Sequence, residues 1–226
     1  MPAEPLPLTD DLWLAAHDSV NGKSRLNPRT LGIGLAAGLI AELLFWQNLS
    51  LDKGQLYLLN APTPQDPALV PVWNQFVEEE RVRRSAAPSH DQGGQSVDDW
   101  IAYLAADTRA EELVINRLSQ SGNVTRAQRR GLTGKRVVFV PNDPNVSGWP
   151  AGRLSSMLAR GQQLDHSDLM LAGLFLATAL HQQALDQLGP EGFQELSRQL
   201  RRDLHPMLRE LVSRAESAVG EAVMNR

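Results

Sequence analysis

The feature that most constrains this chain is a run of fifteen residues, Leu31 to Phe45, in which Glu42 is the sole charged side chain. A helix of this composition is apolar on almost every face, so other elements must surround it. A second run at residues 169–180, LMLAGLFLATAL, has no charged residue and requires the same burial. Each run is shorter than the roughly 20 apolar residues of a membrane-spanning helix. The two runs therefore predict a pair of central core helices.

Amphipathic segments elsewhere in the chain can surround this pair. Thr9 is predicted to cap the first helix, which has carboxylates in its first turn, where the helix dipole favours them. Ser96, followed three residues later by Asp99, resembles a capping box and opens a helix to residue 106. The other predicted helices are residues 27 to about 47, 70–84, 109–120, 154–160 and 168–188, one that begins at Pro190, and residues 204–223. The predicted loops are residues 61–67, 85–95 and 141–150.

Two short stretches alternate around a turn in the manner of β-strands. Residues 49–51 and 55–58 flank the turn Asp52-Lys53-Gly54. Residues 124–140 include a clear strand at 137–140. Each stretch predicts a β-hairpin, one near the first core helix and one in the middle of the chain.

Length and composition agree with one globular domain. The 226 residues, 42% of them apolar and 21% charged, are enough to bury a core. The fold class that we predict is mainly α: a helical bundle core wrapped by amphipathic helices, with two small β-hairpins. We expect a single domain over residues 1–226, with its core at about 7–225 and a flexible segment at 1–6.

The motifs in the sequence argue against catalysis. The chain has no cysteine and neither an HExxH nor a GxSxG motif. Gly32-x-Gly34 lies inside an apolar run rather than after a strand, so it does not predict a dinucleotide site. Gly34 and Gly38, four residues apart, instead predict the close approach of another helix. Gly134-Lys135 lacks the Ser or Thr of a P-loop, and the five histidines have no metal-ligand spacing. We therefore predict a non-enzyme without cofactor or metal.

The amino-terminal residues and the net charge favour a cytoplasmic protein. MPAEPLPLTDDLW is proline-rich and acidic, whereas a signal peptide begins with basic residues. The formal net charge of -4 gives no whole-molecule attraction to nucleic acid or to an anionic membrane, so such attraction requires a local patch. We predict a cytoplasmic protein that is able to contact the inner face of the cell membrane.

One local patch of positive charge stands out within an arginine-rich chain. Only three of the 22 cations are lysine, which codon usage in a GC-rich genome explains, although some arginines could serve as bidentate phosphate ligands. Five cations share the second hairpin without a carboxylate: Arg126, Arg129, Arg130, Lys135 and Arg136. The cluster is open to three interpretations, namely a solvated hairpin tip, a contact with anionic lipid, and the wing of a winged-helix DNA binder. Glu111 and Glu112 on the preceding helix disfavour DNA, so we do not expect nucleic acid as a partner.

The order of these elements is similar to that of a known family. The segments that carry the similarity are DLWLAAHDSVNGK at 11–23, GLAAGLIAELLFWQNLSL at 34–51, GQLYLLNAPTPQDPAL at 54–69, DDWIAYLA at 98–105 and LVINRLSQSGNVT at 113–125, then the hairpin and DLMLAGLFLATAL at 168–180. In this order and spacing the chain resembles the Golgi phosphoprotein 3 family, which has many members in actinobacteria. The resemblance covers residue 7 to about residue 200.

This resemblance implies a function and a set of site positions. Eukaryotic members are non-enzymatic peripheral membrane adaptors that bind phosphatidylinositol 4-phosphate and the cytosolic tails of glycosyltransferases, and their hairpin is implicated in membrane contact and self-association. The tryptophan and three arginines of their headgroup pocket correspond here to Asn27, Ala36, Thr108 and Glu111. The pocket implied for this chain is therefore altered, and the neighbouring candidates for phosphate are Arg25, Arg29 and Arg109.

The function predicted from these observations is weak binding of an anionic phosphate headgroup or membrane surface. The residues expected to bind the phosphates are the three pocket arginines and the basic cluster of the hairpin. The alternative is a protein–protein interaction or homo-oligomerisation module that binds no lipid, in which the hairpin packs on a partner. A winged-helix-like DNA binder is the weakest of the three interpretations.

Overall fold

A computed structural model describes residues 6–86, 94–131 and 134–224; the side chains of residues 86, 129–131, 134–136 and 144 are outside this description. The expectation of a flexible segment at 1–6 falls almost wholly outside the described residues, and so does most of the predicted connector at 85–95.

The longer apolar run forms the helix around which the others pack. This helix, α2, spans Pro28–Phe45, and the Asn27 side chain caps it by accepting a hydrogen bond from the Thr30 amide at 2.9 Å. By length and hydropathy α2 could cross a membrane, but 83% of it is buried within the fold, as expected of a core helix. The second run forms α7 over His166–Ala177, which is also almost wholly buried. The prediction of two central helices is confirmed.

Amphipathic helices wrap this pair. They are α1 (Leu8–Ala15), α3 (Leu69–Ala86), α4 (Val97–Ala105), α5 (Arg109–Gln120), α6 (Pro144–Ala159), the short α8 (His181–Ala184), α9 (Pro190–Arg202) and α10 (Pro206–Met224), with a 3₁₀ turn at Ala106–Thr108. Helices α1, α4, α5, α7 and α10 all contact α2. The mainly α fold class is confirmed.

The strands form two small antiparallel sheets. The first sheet consists of β1 (Leu49–Asp52), β2 (Gln55–Leu58) and a third strand β3 (Gln95–Ser96), which pairs with β2 and which the sequence did not predict. The second sheet is the hairpin of β4 (Val124–Gly131) and β5 (Gly134–Pro141). Both predicted hairpins are present.

Three local predictions were wrong. Thr9 is not the cap of α1 but a buried residue within it, where its amide donates to Glu42 at 2.8 Å. The predicted loop at 141–150 is helical from Pro144, because the Asp143 side chain caps α6 and a proline fits the first turn of a helix. The predicted helix 168–188 is interrupted after Ala177, where Ala179 has a left-handed φ of 59°.

The glycines of α2 allow the close helix packing that their spacing predicts. A Cβ atom at Gly38 would lie 2.4 Å from Cγ2 of Thr9, and one at Gly34 would lie 2.8 Å from Cγ2 of Thr178. Such distances are shorter than carbon–carbon contact distances, so α1 and the residue that follows α7 can reach α2 only where a side chain is missing.

We predict that Gly38→Ala destabilises the protein by about 1–3 kcal/mol, because Thr9 is held by Glu42 and cannot move away from the new methyl group. Gly220→Ala is the matched control, since nothing lies within 4 Å of a Cβ at this position on α10. The control should gain about 0.5–1 kcal/mol from helix propensity. Urea unfolding followed by circular dichroism measures both changes, and equal effects of the two substitutions would contradict the packing argument.

Candidate functional site

A groove of about 1340 Å³ lies between the start of α2, α4, the 3₁₀ turn and α10. Its apolar wall includes Ile33 and Ile101, and three arginines reach it, one from α2 and two from α10. Four carboxylates also line it, from α4, the 3₁₀ turn and α10. Three cations against four anions give the lining a net negative charge, so the groove as a whole does not attract an anion.

The arginines of the groove differ in their pairing. Arg214 is paired with Asp98 at 2.8 Å and lies 3.7 Å from Glu210. Arg29 and Arg209 line the same groove and, among the residues described, have no carboxylate partner. Arg214 is therefore neutralised by carboxylates, whereas Arg29 and Arg209 are not, although Arg209 also donates to the Leu204 carbonyl at 2.9 Å.

The structure does not bring together the three arginines that the sequence proposed for the pocket. Arg29 lines the groove, whereas Arg25 and Arg109 do not. The guanidinium carbon of Arg109 lies 4.1 Å from the centre of the Tyr103 ring, and Arg109 also donates to the Tyr103 carbonyl. Arg25 is exposed between α1 and α2, where its amide donates to the Ala16 carbonyl at 2.8 Å. Sequence spacing alone could not show that Tyr103 holds Arg109 aside.

The basic hairpin has a register that places like charges opposite each other. Arg129 pairs with Arg136, and Arg130 pairs with Lys135, immediately before the turn. Directly opposed residues of an antiparallel pair have Cβ atoms about 4.5–5.5 Å apart, and like charges at this spacing are destabilising. Arg126, the fifth cation, pairs with Phe139 and is exposed. The sequence revealed this cluster, and the register shows which of its positions are paired.

A buried ionic cluster, which sequence reasoning missed, is centred on Arg117 of α5. Its guanidinium donates to Asp10 at 2.8 Å, to Glu42 at 2.8 Å and to Asp66 at 2.9 Å. Burial raises the pKa of Asp10 to about 7, against the attraction of Arg117, and the neighbouring carboxylates add to the rise. The lone Glu42 in an apolar helix was the available signal, because a buried carboxylate needs a buried partner.

A second buried cluster joins the next residue of α1 to α6 and α7. Arg153 donates to Asp11 at 2.9 Å and to Asp168 at 2.6 Å. Burial raises the pKa of Asp11 to about 6, against the attraction of Arg153. Both clusters hold helices together, and none of their residues lines the groove, so we assign them to stability.

A family model described as Golgi phosphoprotein 3 (GPP34) matches residues 8–225, from the start of α1 to beyond the end of α10. The chain belongs to the Golgi phosphoprotein 3 family. A search of curated proteins gave no match. Family membership confirms the resemblance seen in the sequence.

Of the four positions that the resemblance assigns to a headgroup pocket, only Thr108 lines the groove. Asn27 caps α2, and Ala36 is fully buried. Thr108 lines the edge of the groove with a left-handed φ of 60°, and Glu111 accepts a hydrogen bond from Trp13 Nε1 at 3.4 Å. None of the four positions holds a cation.

We predict that Arg117→Met destabilises the protein by about 3–5 kcal/mol, because it leaves the buried carboxylates of Asp10 and Glu42, and the partly buried one of Asp66, around an uncharged side chain. Arg81→Met is the matched control, since Arg81 and its partner Glu78 are largely exposed. Exposed pairs contribute little, so the control should leave the free energy of unfolding unchanged. Chemical denaturation measures both, and a small effect at position 117 would show that the cluster is not needed for stability.

A second prediction concerns the pH dependence that Asp10 confers. Its pKa is raised from 3.8 in the unfolded chain to about 7 in the fold, so the protonated form is favoured by folding. The resulting contribution to the free energy of unfolding is complete below about pH 4 and is lost as the pH rises through about 7. Its size is about 1.4 kcal/mol for each pH unit by which the two pKa values differ. Asp10→Asn removes this dependence. The stability of the variant relative to the wild type should therefore increase between pH 4 and pH 7, whereas parallel profiles would contradict the assignment.

Proposed function

We propose that this chain is a non-enzymatic protein that associates peripherally with anionic membrane surfaces through the hairpin of β4 and β5, at the inner face of the cell membrane. The observation that carries the proposal is the register of the hairpin, in which Arg129 opposes Arg136 and Arg130 opposes Lys135. The repulsion within these pairs is relieved when anionic phosphates lie against them. Membership of the Golgi phosphoprotein 3 family, which includes peripheral membrane adaptors, supports the same function.

The distribution of charge also supports an oriented encounter with a membrane. The hairpin has five cations and no carboxylate, and the whole chain has a net charge of -4, so the remainder has a net charge of -9. An anionic surface attracts the hairpin and repels the remainder, which turns the hairpin toward the lipid. Each hairpin cation near the surface adds about 1 kcal/mol.

The proposal is electrostatic and does not require recognition of one headgroup. The groove has a net negative lining, and of the three candidate pocket arginines only Arg29 lines it. We propose that Arg25, Arg29 and Arg109 contribute at most weak phosphate contacts. Phosphatidylinositol 4-phosphate should therefore bind no better than another lipid of the same charge.

We predict that the protein floats with phosphatidylglycerol vesicles at low salt, stays unbound with phosphatidylcholine vesicles, and is released as salt screens the charges. The triple reversal Arg129→Glu, Arg130→Glu and Arg136→Glu should abolish flotation. The matched control reverses three exposed arginines, namely Arg160, which directly follows α6, and Arg198 and Arg201 of α9. This control changes the net charge by the same amount and should retain most of the binding.

Each outcome of this experiment has a definite meaning. If the hairpin variant and the control lose binding equally, net charge and not the hairpin is responsible. If the wild type ignores anionic vesicles at low salt, the membrane function is wrong. A mass that grows with concentration in light scattering, without any response to lipid, would favour the oligomerisation module, and a salt-dependent gel shift would favour DNA binding.

A further inference from the structure

Two of the five tryptophans are exposed, and only one of them lies beside the basic hairpin. Trp13, Trp73 and Trp100 are buried, whereas Trp46 is 71% exposed and Trp149 is 65% exposed. An exposed indole is costly in water and well suited to a membrane–water interface. The charged residues near each exposed tryptophan therefore indicate which of the two is suited to contact an anionic membrane.

Trp149 is fixed near the base of the hairpin. Helix α6 begins at Pro144, three residues after β5 ends, and the two elements are in contact. The connection is tied down by Asn142, whose amide donates to the Asn123 carbonyl at 2.9 Å. Trp149 is the sixth residue of α6, about 8 Å along the helix from its start.

Two further exposed apolar residues are valines, one on β5 and one on a loop that packs against β5. Val137 of β5 is 40% exposed and follows Arg136 in the chain. Val20 is 70% exposed in the loop between α1 and α2. This loop lies against β5, since a Cβ atom at Gly22 would be 2.5 Å from the Phe139 carbonyl oxygen. We call Val20, Val137 and Trp149 the hairpin-base patch.

The charges around the hairpin-base patch favour an anionic partner. The loop that contains Val20 also contains the exposed Lys23, and the hairpin adds its five cations. The two nearest carboxylates in sequence are engaged locally: Asp18 accepts hydrogen bonds from two amides of its own loop, and Asp143 caps α6. By contrast, the described residues that line the groove beside Trp46 include no Lys or Arg.

We propose that the hairpin-base patch is a membrane anchor, in which the Trp149 indole and the two valines enter the interfacial layer of an anionic bilayer while the hairpin cations bind its phosphates. The proposal rests on the membrane association proposed above and specifies its geometry. Apolar insertion adds to charge attraction and is insensitive to salt, so it should account for any binding that remains when the charges are screened.

The two exposed tryptophans serve as controls for each other when tryptophan emission is measured with vesicles. Trp46→Phe leaves Trp149 as the exposed reporter, and Trp149→Phe leaves Trp46. With phosphatidylglycerol vesicles the emission of Trp46→Phe should shift to the blue and be quenched by brominated lipid. The emission of Trp149→Phe should remain unchanged although the protein still floats.

The affinity for vesicles gives an independent readout. Trp149→Ala should lower the partition coefficient about tenfold at moderate salt, and Trp46→Ala should change it less than twofold, with unaltered circular dichroism in both. Charge-dependent flotation without any response of Trp149 would overturn the anchor and leave the proposed function intact. A response of Trp46 instead would also overturn it, and a wild type that binds no anionic vesicle would end both proposals.

Discussion

The central helix can be buried because one guanidinium neutralises the one buried charge that it contains. Glu42 lies in the last turns of the helix among buried apolar residues, and its two oxygens accept hydrogen bonds from Arg117 and from Thr9. A carboxylate left alone in this position would cost several kcal/mol, or would have to bind a proton. Arg117 therefore fixes the position of α5 on α2. Burial alone would lower the pKa of Arg117, but Glu42 and Asp10 raise it, so the cation persists.

The same constraint explains how α1 is held although it has only eight residues. Its first turn contains Thr9, Asp10 and Asp11, all buried, and each bonds to a different element: α2, α5 and α6. Three consecutive polar residues thus orient one short helix against three neighbours. An isolated helix of this length is not stable in water, so these bonds and the apolar contacts of Leu12 and Leu14 hold it.

The sequence predicts those features of the fold that depend on residues close together in the chain. Apolar periodicity and caps located the core helices, the start of α2 at Asn27 and the extent of α5, because these depend on neighbouring residues. The role of Thr9 could not be predicted, since its partner Glu42 is 33 residues away. The separation of Arg25, Arg29 and Arg109 was equally hidden. Only three-dimensional packing shows that Tyr103 holds Arg109, and only the strand register shows which hairpin cations face each other.

The two groups of arginines in this fold have opposite consequences. Arg117 and Arg153 each contact more than one carboxylate, so their positive charge is fully neutralised within the molecule. The hairpin cations have no carboxylate on their own strands, and the register pairs Arg129 with Arg136 and Arg130 with Lys135. Under the function that we propose, the hairpin cations would favour attraction to any dense array of phosphates over recognition of one particular headgroup. Specificity in such a protein would come from the surface charge of the membrane and from the apolar residues beside the hairpin, and not from the shape of a pocket.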